Sequence, residues 1–128
     1  MGLTIARVRV KNPDNGASRE LSLLVDTGSM LTWIDRRVLE ELRVRPRRTR
    51  RLKTIEGCVI ERRTGLVTLE MEGNEADVEV VFAEKGDAQV LGVIALESLG
   101  YMVNPITGRL EYVGYIAYRS SVDGKLNP

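Results

Sequence analysis

The chain has 128 residues, 43% hydrophobic and 29% charged, and its 19 Lys plus Arg against 18 Asp plus Glu leave a formal +1. That length and composition fit one soluble domain that buries a core without disulfides, and they exclude a disordered chain. The near-zero charge gives no global field towards nucleic acid or anionic lipid, and one cysteine with no histidine excludes an internal disulfide, histidine-dependent triads and the commonest metal ligand. Neither a metal nor another cofactor is expected.

From the N-terminus, Leu3, Ile5, Val8 and Val10 alternate imperfectly with polar residues and predict a strand over 3–10. The segment lacks the apolar run of a signal peptide, and "VLGVIAL" is too short to span a bilayer, so a cytoplasmic protein without a membrane partner is expected. "NPDNG" at 12–16 predicts a turn into a second strand, 18–25. A short strand, "MLTWI", follows Thr27-Gly28-Ser29, and Asp35 is placed to cap a helix over 36–42 with Val38, Leu39 and Leu42 on one face.

Residues 43–53 hold six arginines and one lysine around Pro46, which predicts an exposed, extended segment. Phosphate binding, a plain solvated surface, and an arginine-lined substrate cleft all fit it; the absence of interleaved aromatic residues favours the solvated surface, so nucleic acid is not an expected partner. "LKTIEGCVIE" (52–61) has two extended arms around Glu56-Gly57. Residues 64–71 and 77–82 alternate as strands around the turn "EGNEA". A buried strand through Leu91-Gly92 precedes a short helix ending at Gly100, and two strands flank an Asn104-to-Gly108 turn. The core is expected over about 3–113, with a polar tail from 114 to 128 that is loose at its end. Trp33 and a half-buried Cys58 read as packing residues, and Tyr112, Tyr115 and Tyr118 as either an interface edge or ordinary packing.

Asp26 follows Leu23, Leu24 and Val25, so its carboxylate is expected at the end of a buried strand, where desolvation opposes its charge. Thr27 and Ser29 supply hydroxyls, and Gly28 lets a backbone N–H approach. A plain hairpin turn in which Asp26 caps backbone N–H groups also fits these residues.

Asp26-Thr27-Gly28-Ser29 after an apolar strand, with the later Val90-Leu91-Gly92 before its own helix, resembles the retropepsin-like, single-lobe aspartic protease family. The likeness covers 18–113, and Asn104 stands where bacterial and archaeal members often carry Asp. It implies a mostly β, acid-protease-like closed barrel or sheet with one or two short helices, one lobe per chain. It further implies that Asp26 is catalytic, that Thr27 bonds across to a partner's loop, that Gly28 supports the carboxylate and that Ser29 bonds its outer oxygen. Thr54, Ile55, Glu56, Gly57 and Cys58 match the family's substrate-covering flap, and Leu91-Gly92 its loop-supporting strand.

Hydrolysis by water without metal or histidine needs one carboxylate as base and one carboxylic acid as donor. Asp14, Asp35, Asp77, Asp87 and Asp123 lack the motif, so the second Asp26 must come from another chain, in a two-fold homodimer acting on a peptide or protein. An aspartic endopeptidase is therefore expected; the competing reading is a catalytically inactive binding or scaffold domain with the same fold.

Overall fold

The computed structural model describes residues 3–115, 117 and 119; the loose tail end and Tyr118 lie outside the described residues. Its elements are β1 Ile5–Lys11, β2 Ser18–Val25, β3 Thr32–Asp35, α1 Arg36–Glu41, β4 Arg48–Lys53, β5 Val59–Met71, β6 Asn74–Ala83, β7 Val90–Leu91, α2 Val93–Ser98, β8 Tyr101–Val103 and β9 Leu110–Tyr112. The strand order β1-β2-β7-β3-β6-β5-β4, with β1 also paired to β5, makes a ring-like mixed sheet with β4 on its outside. The chain is thus mostly β with short helices, as expected.

β1 and β2 form the predicted hairpin, with Ile5 opposite Leu24 and Lys11 opposite Ser18. Side chains alternate across a strand, so burial of Val8 and Val10 selects Ala6 for the inner face and turns Ile5 outward. The expected inward position of Leu3 and Ile5 is corrected accordingly. In the turn, the buried Asn12 side chain donates to the carbonyls of Leu42 and Arg43, at 3.0 Å each. These are orphan acceptors beyond the last turn of α1, so the "NPDNG" turn also fastens that helix to the hairpin. Asp35 caps α1 as predicted, its carboxylate accepting from the Arg37 N–H at 2.8 Å, while Val38, Leu39 and Leu42 are buried.

β5 corrects the boundary expected near Arg62. Residues 59–71 form one continuous strand, pairing with β4 through its first half and with β1 through Thr68–Glu70. Its polar stretch, Glu61–Arg63, is extended because its backbone pairs with β4, and the strand continues from Thr64 by pairing with β6. The turn into β6 is shorter than "EGNEA": Glu72 (φ 51°) and Gly73 (φ 81°) form a two-residue hairpin connection, and Asn74 already faces Met71. The basic segment is likewise more ordered than a plain extended surface. Val44 is buried, and residues 48–53 pair with β5 along six positions.

The core gathers Val8, Val10, Ile34, Leu39, Leu69, Val80, Phe82, Leu91 and Leu96 from the sheet and both helices. Each such side chain contributes roughly 1.5–3 kcal/mol by leaving water. Its role here is to fix β2, β3 and β7 around the loop that carries Asp26.

Candidate active site

β7 lies between β2 and β3, parallel to the first and antiparallel to the second. Residues 26–31, which join β2 to β3, must therefore cross the end of β7. Four hydrogen bonds hold the crossing. The Asp26 N–H donates to the Leu91 carbonyl at 3.0 Å, the Val93 N–H to the Ser29 carbonyl at 2.8 Å and the Ile94 N–H to the Met30 carbonyl at 3.3 Å. The Gly92 N–H donates to the buried Thr32 Oγ1 at 2.9 Å. The loop thus accepts N–H groups from the first turn of α2, which has no side-chain cap of its own. Gly92 packs against the Ser29 and Leu31 backbone closely enough to exclude a side chain.

The expected support of Asp26 by Gly28 is present: the Gly28 N–H donates to Asp26 Oδ1 at 2.9 Å. The expected burial is not. Leu23 is buried, but the chain leaves the sheet after Val25 and Asp26 stands exposed on the protomer surface. Ser29 also differs from what the resemblance implied, because its hydroxyl donates to the Leu31 carbonyl at 2.7 Å and closes the loop on itself. Thr27 is exposed, and its hydroxyl has no partner among the described residues.

Residues 54–58, which the resemblance matches to a flap, form a hairpin tip. The Thr54 N–H donates to the Cys58 carbonyl at 2.8 Å and the Gly57 N–H to the Thr54 carbonyl at 2.9 Å, with Gly57 at φ 91°. This is a turn whose last residue is left-handed, the position that suits glycine. Ile55 and Glu56 at the tip are exposed, and so is Cys58, against the half-buried position expected, because the hairpin projects beyond the core that would cover it. Among the described residues no hydrogen bond joins this tip to the Asp26 loop.

Two ion pairs brace the sheet behind the hairpin. Arg50 bonds Glu79 and Arg62 bonds Asp87 through two nitrogens each, and these guanidinium bonds hold both carboxyls below the ordinary carboxylate range.

Two features of the site escaped the sequence reading. Thr32 gave only a weak signal, a hydroxyl amid the apolar residues of "MLTWI". The other is a groove of about 730 Å³ that begins at Thr27 and runs between α2 and the β8–β9 pair, past Leu96, Tyr101, Val103 and Val113. It joins residues far apart in sequence, so no local pattern marks it.

A ring-like sheet in which an Asp-Thr-Gly-Ser loop crosses a buried aliphatic-Gly strand defines an acid-protease-type lobe. A model of the aspartyl protease family matches residues 6–100, most of the chain. The chain belongs to the retropepsin-like aspartyl proteases. No curated protein matches it.

Proposed function

We propose that the chain is an aspartic endopeptidase, active as a two-fold homodimer in which the Asp26 residues of both subunits share one site. The observation that carries this is the state of the Asp26 surface in a single protomer. The carboxylate stands exposed with one oxygen free of partners among the described residues, and around it Ile5, Met30 and Ile94 leave apolar side chains uncovered. The groove beside Thr27 extends the same apolar surface. A second copy of this surface would cover these side chains and bring a second Asp26 to the axis.

Two carboxylates so placed cannot both ionise, and the pair holds one proton. The ionised Asp26 takes a proton from water as that water attacks the scissile carbonyl. The protonated Asp26 hydrogen-bonds the carbonyl oxygen, and a proton reaches the departing nitrogen. Gly28 keeps one carboxylate oxygen in place through its N–H, and the unpartnered Thr27 hydroxyl suits a bond to the facing loop. The Thr54–Cys58 hairpin would close over a bound peptide.

The test is cleavage of a peptide library by the parent and by Asp26→Asn, alongside sedimentation of both. Cleavage by a dimeric parent, lost in a folded Asp26→Asn protein, is expected. Equal cleavage by the variant overturns the assignment, and a dimer that binds peptides without cleaving any supports the scaffold reading.

A further inference from the structure

We propose that the outer edge of β4 is a docking site for an acidic peptide segment, bound as an added strand and carrying Asp or Glu at alternate positions. β4 is the last strand in the sheet order, so one of its edges has no neighbour among the described residues. The turn sets which groups face that edge. The Thr54 N–H bonds to Cys58, and Leu52, Arg50 and Arg48 stand opposite Ile60, Arg62 and Thr64 in the same phase. Backbone bonding alternates along an antiparallel strand, so the N–H and C=O of Thr49, Arg51 and Lys53 point outward.

Side chains alternate with the same period, which places Thr49, Arg51 and Lys53 together on one face, all exposed. Arg48 and Arg50, on the other face, are engaged with Glu79, and Arg63 with Glu40. By contrast, Arg45, Arg47, Arg51 and Lys53 pair with no carboxylate among the described residues; Glu61, opposite Arg51, makes no ion pair with it. The open backbone edge therefore coincides with the part of the basic run whose charge is not neutralised.

Residues two apart on a strand are about 6.6–6.8 Å apart, so acidic side chains at alternate positions of an incoming strand match the spacing of Arg51 and Lys53. Backbone pairing would supply affinity and the charge pattern selectivity. A phosphate backbone would use the cations but not the outward N–H and C=O groups, and residues 43–63 contain no aromatic side chain to stack on bases. The surface does not depend on Asp26 chemistry.

The experiment measures fluorescence anisotropy of a labelled ten-residue peptide alternating Glu and Val, on the full-length Asp26→Asn protein to prevent cleavage. Two comparison probes are the same peptide N-methylated along one edge and a single-stranded oligonucleotide of equal charge. Arg51→Glu with Lys53→Glu is expected to weaken peptide binding at least tenfold. Thr49→Pro keeps every charge and removes one outward N–H, a substitution an edge strand tolerates, and is expected to weaken binding severalfold with an unchanged circular dichroism spectrum. N-methylation should have a comparable effect. Equal binding of the methylated peptide, insensitivity to Thr49→Pro or to charge reversal, or tighter binding of the oligonucleotide would each overturn the proposal.

Discussion

Gly92 lies so close under Leu31 that a Cβ on the glycine would stand 2.4 Å from the Leu31 carbonyl oxygen and 2.8 Å from that of Ser29. Both obstacles are backbone, and neither can rotate away. Gly92 has φ −84°, ordinary for any residue, so its requirement for glycine is purely steric. Gly92→Ala is expected to lift the 26–31 loop and destabilise the fold by about 2 kcal/mol or more, in the range of severe overpacking. The denaturation midpoint, with amide shifts of residues 26–31, reports this; an unchanged midpoint would show that the crossing is looser than described.

Thr32→Val removes the acceptor of the Gly92 N–H while keeping the shape of the side chain. A buried donor left without a partner costs about 1–3 kcal/mol. Thermal melting should fall accordingly, and peptidase activity should fall with it because the Asp26 loop loses one of its fastenings.

Asp26→Ala removes the acceptor of one exposed hydrogen bond, so its stability should stay within about 1 kcal/mol of the parent. Turnover of a casein substrate should vanish. Stability and activity moving together would indicate that the substitution acted through folding.

Ile94→Glu places a charge on the apolar rim of the Asp26 surface, where Ile94 is 43% exposed in the protomer. The folded monomer should tolerate it. The dimer should not, and sedimentation equilibrium is expected to show a monomer without peptidase activity. Full activity of a monomer at micromolar concentration would remove the case for a shared site.

The Arg62–Asp87 and Arg50–Glu79 pairs give the stability a defined acid dependence. Both carboxyls titrate below their ordinary range because the paired guanidinium hydrogen-bonds the ionised form. For a depressed carboxyl the contribution is complete above the unfolded value, at about pH 5 and higher, and is lost as pH falls through the lowered value. Asp87→Asn should destabilise by about 1–2 kcal/mol at pH 7 and by less at pH 3. Urea midpoints for parent and variant at both values provide the check, and equal effects at the two values would contradict it.

The local parts of this fold were legible and the non-local parts were not. The Asp35 cap, the β1–β2 hairpin and the Glu56-Gly57 tip are short-range devices, written in residues adjacent to the structure they make. The continuity of β5 through Glu61, Arg62 and Arg63 was hidden because their extended form is set by pairing with another segment, β4. The exposure of Asp26 was misjudged for a related reason: a run such as Leu23-Leu24-Val25 reports a buried strand but not where the chain turns out of it. Ser29 shows the limit of motif transfer, since its hydroxyl had a nearer acceptor in Leu31.

The unbroken course of β5 has a mechanical consequence. The strand that carries the hairpin outward is the one that closes the ring against β1, and at Gly65 an added Cβ would meet the Arg45 carbonyl at 2.9 Å and the Phe82 ring at 3.1 Å. No slack linker separates the tip from its support, so the hairpin is a cantilever clamped near Gly65 rather than a door on a hinge. Its travel must be taken up by twist distributed along β4 and β5, and the stiffness of that pair sets how far the tip moves.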